Sequence, residues 1–572
     1  MTVATPPKRN FVPANLNVAE WPEVQPLYQA LLDRSIGSVQ DLEKWLADLS
    51  ELACVVDEFG VRRSIDKSCH TDDPETQARF LFFVEQIDPK TKPLMFELQK
   101  KYLVLPYRSG LTDRKFRILD RQWQADVDLF REANVPLQTE DIKLVNEYDK
   151  LFAAMIINFR GQDYTPQQMA KFLEEPDRAT RQESWELTAK RRLQDREVID
   201  QLFDRLLPLR QQIANNAGLA DYRAYKWKEY KRFDYTPDDC AEFAISVARY
   251  VVPLVDKLDR ERAKDLGVDR LRPWDLAVDP KSRPMLKPFD PEKIDDFVSR
   301  TKEIFDRISP QLAADFETLR TNKNLDLGSR KGKQPGGYQA TLEEVRQPFI
   351  FMNAAGIHRD VVILLHEGGH AFHTMLTTEP LAFLRNAPIE FCEVASMSME
   401  MFANEHLDVF YSPADAVRAK QWHLEGVIRI LPWIAMVDSF QSWLYTHPCH
   451  SRQEREKHWL DLDEQFMSKL DWSGYDDVRR LLWHRQLHLF HVPFYYIEYG
   501  IAQLGALQLW MKSKSDPRAA LSNYRAGLKL GGTRPLPELF AAAGIQFDFS
   551  EKTLRPLMNA VSEELNELDD EL

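Results

Sequence analysis

Cysteine is scarce in this sequence, with five residues among 572. The five lie far apart and form no CxxC pair, which argues against both a disulfide framework and a zinc site built from thiolates. The first ten residues, MTVATPPKRN, lack the apolar core of a signal peptide, and no later run approaches about 18 uncharged apolar residues. We therefore expect a cytoplasmic protein with reduced cysteines and no membrane partner.

A surplus of basic residues is also missing. The sequence has 75 Lys and Arg against 89 Asp and Glu, a formal net charge of -14. Because nucleic-acid binding depends on neutralising phosphates with Lys and Arg, we expect no nucleic-acid partner. The apolar fraction of 44% and the aromatic fraction of 11% suit a soluble globular enzyme with more than one packed region.

Apolar residues recur at three- and four-residue spacing along most of the chain, which predicts a predominantly helical fold. The clearest helical stretches are residues 74–88, 177–217, 236–265 and 290–319. Three helix starts stand out because a hydroxyl N-cap is followed directly by proline. These N-caps are Thr165, Thr236 and Ser412.

Glycine is infrequent, at 21 residues, yet five of them lie between Gly328 and Gly356. The stretch GSRKGKQPGGYQATL and the following PFIFMN predict a glycine-rich turn, a strand or hairpin, and then an apolar strand. A phosphate-binding loop does not fit, because Gly332-Lys333 is followed by Gln334 and lacks the upstream strand and glycine spacing. The region therefore predicts a small β-element inside a helical chain.

Histidine is concentrated in one region. Twelve of the thirteen histidines lie between His358 and His491. Surface histidines have no reason to cluster in this way, whereas a site assembled from the C-terminal half of the chain would concentrate them. The distribution therefore indicates where to look for a metal or catalytic site.

The central motif of this region is His366-Glu367-Gly368-Gly369-His370, which follows the apolar run VVILL. Residues four apart share a helix face, so both imidazoles can bind one metal ion at about 2.0–2.1 Å. Glu367 lies one step round the helix, where its carboxylate can reach the water that the metal activates. Two core histidines on a helix are the structural alternative. The glycine pair weakens it, since each glycine is unfavourable by about 1 kcal/mol in a helix and indicates a close approach.

A third ligand is expected from the helix that we predict over PIEFCEVASMSME. Glu390, Glu393 and Glu400 line one face of this otherwise apolar helix, and spacing alone does not choose among them. Buried carboxylates are unfavourable unless they are paired or bind a metal, although a solvated acidic stripe is the alternative. Glu400 or Asp360 could instead accept a hydrogen bond that orients an imidazole, and Asp360 is also the expected N-cap of the motif helix.

A dense group of tyrosines follows near the C-terminus, in RQLHLFHVPFYYIEYG. Taken alone, it predicts a packed aromatic core with satisfied hydroxyls. Beside a metal site, the same residues could donate hydrogen bonds to the oxyanion that forms during peptide hydrolysis. His373, one turn beyond His370, is expected to support the site and not to bind the metal.

These motifs together resemble the thimet oligopeptidase and oligoendopeptidase F family of zinc metallopeptidases, most closely the oligoendopeptidase F branch. The matching stretches are RQPFIFMNAAGIHRDVVILLHEGGHAFH, IEFCEVASMSMEMF and HLFHVPFYYIEYGIAQLGALQLW, with a weaker likeness back to residue 145. The resemblance implies that His366, His370 and Glu393 hold one Zn²⁺ per chain and that Glu367 is the general base.

The resemblance also implies a fold. We expect an almost wholly helical, all-α chain with a small β-sheet element near the active site. Its thermolysin-like core would enclose a deep channel that favours short unfolded peptides as substrates. Residues 1–145 would form a helical region that restricts access to the channel, and residues 146–572 would form the catalytic domain.

The same resemblance assigns further residues to the site. His488, Tyr496 and Tyr499 are expected to stabilise the transition state, with His491 and Tyr495 as competitors for the first two roles. The strand from Phe349 to Asn353 is expected to be an edge strand that pairs with substrate backbone. Its side chains Phe349 and Phe351 are therefore candidate substrate contacts.

Two other functions remain open at this stage. A zinc carboxypeptidase or aminopeptidase could use the same metal centre and would trim peptides from one end. A peptide-binding protein with a vestigial metal site is the non-enzymatic alternative. The sequence does not predict the oligomeric state or the preferred peptides.

Overall fold

The computed structural model of the protein describes residues 8–571, and most of them are helical. The helices are α1 (Trp21–Asp33), α2 (Val39–Cys69), α3 (Pro74–Phe82), α4 (Asp88–Val104), α5 (Lys115–Leu129), α6 (Asn134–Ala153), α7 (Pro166–Met169), α8 (Arg178–Gln194), α9 (Arg196–Asn216), α10 (Tyr222–Glu229), α11 (Pro237–Tyr250), α12 (Val252–Asp265), α13 (Ile294–Ile308), α14 (Pro310–Thr321), α15 (His358–Leu376), α16 (Ile389–Ala403), α17 (Pro413–Thr446), α18 (Arg452–Phe466), α19 (Asp476–Arg480), α20 (Leu487–His491), α21 (Ile497–Ser515), α22 (Pro517–Leu528), α23 (Leu536–Ala542) and α24 (Glu551–Glu571). The strands are β1 (Ile157–Phe159), β2 (Gln162–Tyr164), β3 (Leu325–Gly328), β4 (Tyr338–Leu342) and β5 (Gln347–Ala354).

The three hydroxyl N-caps are confirmed. Thr165 and Thr236 form capping boxes at the starts of α7 and α11, and Ser412 accepts a hydrogen bond from the backbone N–H of Asp415 at the start of α17. Two of the long predicted helices are divided ahead of a proline, at α11–α12 and at α13–α14. The division follows because proline lacks an N–H and disfavours helical conformation in the residue before it.

The larger sheet has three strands in the order β3-β5-β4, with β5 parallel to β3 and antiparallel to β4. The prediction that Phe349 to Asn353 forms an edge strand is therefore wrong, since β5 has partners on both sides. The edge next to the motif helix is β4. Phe349 and Phe351 are 3% and 0% exposed and pack with Ile65 and Leu342. Their apolar run reflects a strand that is covered on both faces.

Two of the four hydrophobic clusters in residues 8–571 contain most of the buried apolar side chains. The larger one contains the inner faces of α15, α16, α17 and α21, and it surrounds the histidine-rich region. A separate core is formed by side chains from residues 12–123 together with Leu381 and Leu384. These two leucines join the N-terminal helices to the loop between α15 and α16.

Among residues 8–571, no helix combines the length and the apolar character that a membrane span requires. The five cysteines all lie within these residues, and all are unpaired.

Candidate metal centre

The motif helix α15 begins at His358 with Ile357 as its N-cap, three residues earlier than the sequence predicts. Asp360 is consequently in the first turn and is not the N-cap. Its Oδ2 accepts hydrogen bonds from the backbone N–H groups of Ala355, Gly356 and Ile357 at 2.8, 2.8 and 3.0 Å. An acid at this position reaches back to the chain before the helix and satisfies its free donors. Asp360 therefore fixes the start of α15 and bonds to backbone, not to an imidazole.

The glycine pair lets two neighbours approach α15 closely. A Cβ atom on Gly369 would lie 2.5 Å from Cα of Ser396 and 2.6 Å from the carbonyl oxygen of Ala395, both on α16. A Cβ atom on Gly368 would lie 2.7 Å from the ring of Phe305. The close backbone contact at Gly369 places the middle of α16 directly against the motif. The predicted close approach is thereby confirmed.

This contact brings Glu393 to the two motif histidines. Its Oε2 lies 3.2 Å from Nε2 of His366 and 3.5 Å from Nε2 of His370. Three donor atoms, one from each residue, all lie within 4.8 Å of one another. Ligands about 2.0–2.1 Å from a tetrahedral zinc ion are separated from each other by about 3.3 Å. The spacing and chemistry of these donors therefore fit a metal ion.

Burial distinguishes the carboxylate from the imidazoles. The side chain of Glu393 is 2% exposed, whereas those of His366 and His370 are 18% and 16% exposed. Burial opposes ionisation of Glu393, but the imidazoles of His370 and His366 hold the pKa of its carboxyl well below the usual range. A buried anion therefore faces two imidazoles at the wall of a cavity.

The other two candidate acids of α16 have different partners. Glu390 accepts a hydrogen bond from the Tyr235 hydroxyl at 2.6 Å and lies 3.7 Å from Arg232. Glu400 lies 2.6 Å from Nδ1 of His366 and 2.9 Å from Nε2 of His423. A carboxylate on the second nitrogen of an imidazole fixes the ring orientation and tautomer. No motif in the sequence singles out His423, which is distinguished there only by lying in the histidine-rich region.

The donor atoms of His366, His370 and Glu393 form what we call the donor triangle. Glu367 lies beside it and is 6% exposed. Its Oε2 atom is buried without a hydrogen-bond partner among the described residues, and burial raises the pKa of its carboxyl. His373 is also buried, and burial lowers its pKa to about 3. Within residues 8–571 neither side chain forms an ion pair, which is unusual for buried polar groups and typical of a site that receives a ligand.

The tyrosine segment forms the opposite wall. The Tyr495 hydroxyl donates to Oε1 of Glu393 at 2.5 Å, and the Tyr499 hydroxyl lies 3.3 Å from Nε2 of His488. Tyr495 and Tyr499 line the cavity that also contains His366, His370 and Glu393, which we call the metal cavity. Tyr496 is instead directed toward Gln486 and Trp433. Phe494, directly before these tyrosines, has a φ of 69° and lies in the left-handed region.

His491 lies outside this cavity. Its Nε2 is 2.7 Å from Oδ1 of Asp149, and both residues line a different cavity between α2, α6 and β4. His488, in contrast, contacts the rings of Tyr496 and Tyr499 at centroid distances of 4.8 and 5.6 Å. The two histidines that compete in sequence therefore occupy different environments.

The metal cavity has a volume of about 370 Å³. Its walls come from β4, α15, α16 and the tyrosine segment, and they include Gln339, Thr341, His373 and Tyr499. The exposed edge of β4 thus lies next to the donor triangle. An edge strand with free backbone groups can pair with an extended peptide.

Comparison with known proteins agrees with this geometry. Residues 171–558 match the model of Peptidase family M3, and residues 11–130 match the Peptidase M3 N-terminal domain. The chain belongs to peptidase family M3.

An M3-family relative, the oligoendopeptidase F homolog of Borreliella burgdorferi, is 27% identical over 227 residues, which cover 38% of this chain and 37% of the relative. The chain spans between 28% and 55% of the length of the curated relatives that it matches.

Two solved structures are similar over nearly the whole chain. PZ peptidase A, determined with an inhibitor, has a TM-score of 0.93 at 27% identity, covering 98% of this chain and 100% of that one. A protein assigned as an oligoendopeptidase F has a TM-score of 0.93 at 28% identity, with the same coverage of both chains. The resemblance to the oligoendopeptidase F branch and the helical fold with a small sheet are therefore confirmed, and M3 membership supports a metallo-oligopeptidase.

Proposed function

We propose that this M3-family protein is a zinc-dependent oligoendopeptidase that hydrolyses internal bonds of short, unfolded peptides. The observation that carries the proposal is the donor triangle of His366, His370 and Glu393 beside Glu367. Oε2 of Glu367 is buried without a hydrogen-bond partner among the described residues. Three protein ligands that leave one position open are the arrangement of catalytic zinc, whereas structural zinc sites are closed by four.

The donor chemistry favours zinc, with one ion per chain. Two imidazoles and one carboxylate are a common zinc set, and bound zinc would supply Lewis acidity and a lower pKa for water. Glu400 supports this assignment, since its contact with Nδ1 of His366 would leave Nε2 free to bind the ion.

Glu367 would accept the proton of the attacking water and deliver it to the nitrogen of the departing amine. Burial raises the pKa of this carboxyl, which strengthens it as the base in the first transfer. Because Oε2 has no hydrogen-bond partner among residues 8–571, one oxygen remains available for the water.

His488 and Tyr499 would donate hydrogen bonds to the carbonyl oxygen as negative charge develops there, whereas the Tyr495 hydroxyl donates to Glu393. Burial lowers the pKa of His488 to about 3, so the imidazole is neutral at pH 7 and one ring nitrogen carries a hydrogen. Tyr496 is directed to Gln486 and Trp433, and we assign it the role of supporting the His488 ring.

The N-terminal region, residues 1–145, would limit access to the site. Helix α2, and helix α6 that extends beyond residue 145, face β4 across a cavity of about 350 Å³, and Tyr338 lines both this cavity and the metal cavity. Substrates would have to be short and extended to pass between these walls. We also propose a cytoplasmic location, in keeping with the five unpaired cysteines.

The test is mass-spectrometric mapping of the products from a ladder of peptides about 5 to 30 residues long, with and without a zinc chelator. Internal cleavage that declines with peptide length and stops with the chelator is the expected result. Stepwise trimming from one end would instead indicate an exopeptidase. Binding without cleavage by a zinc-loaded protein would indicate a peptide-binding protein.

A further inference from the structure

A cavity of about 540 Å³ lies apart from the metal cavity. Its walls come from α7, α8, the start of α15 and residues 478–485, and they include the apolar side chains of Phe152, Leu173 and Trp185. Three arginines also line it, and no aspartate or glutamate of the described residues does. This local excess of positive charge occurs in a chain whose net charge is -14.

The three arginines are Arg192, Arg359 and Arg485. Among the described residues, none of them has a carboxylate within ion-pair distance, and Nε of Arg192 is buried without a hydrogen-bond partner. Burial and the charge of Arg485 lower the pKa of Arg192 to about 10.

Arg192 is half-buried and Arg359 and Arg485 are exposed, whereas the fully buried arginines Arg210 and Arg232 have carboxylate partners. Arg210 lies 2.7 Å from Asp141, and Arg232 lies 2.6 Å from Glu498. Charged groups in protein interiors are generally paired, because an unpaired buried charge is destabilising. Three guanidinium groups line a cavity to which no described carboxylate contributes, and Nε of Arg192 is buried without a partner among residues 8–571, so the cavity favours an anion that comes from outside the protein.

The cavity and the metal centre lie along one face of α15. Arg359, Ile363, His366 and His370 follow helical spacing on this face, and each is at least partly exposed while the intervening Leu364, Leu365 and Glu367 are buried. Arg359 precedes His366 by seven residues, which corresponds to about 10 Å along the axis. An extended peptide covers that distance in about three residues.

Tyr496 connects the two sites from the other side. Its ring lies 4.8 Å from that of His488. Burial raises the pKa of Tyr496 to about 12 against the opposing charges of Arg359 and Arg485. Arg485 is also only three residues before His488. A peptide that reaches from the metal centre along α15 would therefore meet the arginines.

We propose that Arg192, Arg359 and Arg485 form a subsite for a peptide carboxylate about three residues from the bond that is cleaved. This inference rests on the proposed function, since it assigns the substrate chemistry of the same channel. Guanidinium groups bind carboxylates through paired hydrogen bonds, and the apolar walls can accept a neighbouring side chain. The carboxylate comes either from the C-terminus of the peptide or from an acidic side chain.

The first experiment measures binding without cleavage. The Glu367→Gln protein, loaded with zinc, is titrated with fluorescent peptides of one sequence that end in a free carboxylate or an amide. A second, amidated pair carries Asp or Asn at successive positions. Neutralising a carboxylate that bonds to a charged group is expected to weaken binding by about 10- to 100-fold. Tighter binding of the free-carboxylate peptide in the first pair identifies the peptide C-terminus as the bound carboxylate. Tighter binding of the Asp peptide in the second pair identifies an acidic side chain.

Arginine variants provide the matched test. Arg359→Gln combined with Arg485→Gln is expected to abolish the preference for the carboxylate and to leave the melting temperature unchanged or higher, because the variant removes charge repulsion. Arg117→Gln is the control, since Arg117 is an exposed residue of α5 that lines none of these cavities. It is expected to retain the full preference.

The subsite would be overturned if the protein with all three arginines bound the carboxylate and amide peptides equally and also bound the Asp and Asn peptides equally. A preference that survives in the double arginine variant would also overturn it. A separate assay with the unaltered protein uses a blocked peptide with only two residues on each side of the bond, which cannot reach the arginines. Failure to hydrolyse it contradicts the proposed function alone, because the carboxylate preference is measured by binding.

Discussion

The indole N–H of Trp433 donates to the side-chain oxygen of Gln486 at 3.1 Å. An indole nitrogen can only donate, so this contact fixes the orientation of the amide and directs its nitrogen toward Nδ1 of His488, 2.8 Å away. Nδ1 must then accept, which places the imidazole hydrogen on Nε2, next to the Tyr499 hydroxyl. Trp433 and Gln486 thus position the donor that we assign to the oxyanion.

Replacing Gln486 by Glu is expected to reverse this tautomer, because a carboxylate accepts from Nδ1 and leaves Nε2 without a hydrogen. Loss of one oxyanion donor corresponds to about 10²–10³ in kcat. KM should change little, since the ground-state peptide is bound elsewhere. Steady-state kinetics on a short peptide measures both constants. Gln486→Asn, which retains an amide, is the comparison, and a kcat for Gln486→Glu equal to that of the unaltered protein would refute the positioning role.

Changing a residue that supports a metal ligand typically weakens metal binding by roughly 10- to 100-fold. Replacing Glu393, a proposed ligand, by Ala is expected to weaken zinc binding by more than that. Competition with a chelating dye measures the affinity. Glu390→Gln is the matched control on the same helix, because Glu390 contacts Tyr235 and Arg232. Unchanged zinc affinity in Glu393→Ala would move the ligand role to Glu390 or Glu400.

Replacing Gly369 by Ala is expected to destabilise the protein by about 1–3 kcal/mol, because the added methyl group would overlap the backbone of α16. The same displacement moves Glu393, so zinc affinity should fall with stability. Thermal unfolding with and without zinc measures both effects.

Gly426 of α17 is the control for Gly369, since a Cβ atom there meets nothing within 4 Å among the residues that the structure describes. Gly426→Ala is expected to leave zinc binding unchanged and to raise stability by up to about 1 kcal/mol, because alanine favours helix. Equal behaviour of the two variants would contradict the close packing of α15 on α16.

Local patterns in the sequence are sufficient for part of this site. The spacing of His366 and His370, the position of Glu367 and the meaning of the glycine pair follow from helix geometry alone. The choice of Glu393 over Glu390 does not, because Glu390 is satisfied by Tyr235 and Arg232, which lie more than 150 residues earlier in the chain. Spacing within α16 contains no information about those partners.

Two other features depend on contacts that the sequence does not express. The edge position belongs to β4 because β3, which precedes β4 in the chain, occupies the other side of β5. Tyr495 lines the cavity and follows Phe494, whose left-handed backbone conformation sequence patterns do not predict for phenylalanine. His423 and Gln486 likewise become visible only when their partners Glu400 and His488 are in place.

The central claim, that Glu367 is the general base of a zinc peptidase, is tested most directly by replacing Glu367 with Gln and measuring zinc content and peptide turnover on the same preparation. Glu367 is not one of the three proposed ligands, so the variant is expected to keep one zinc ion per chain. Its turnover should fall by about 10²–10⁴. Turnover close to that of the unaltered protein, with zinc fully bound, would contradict the account.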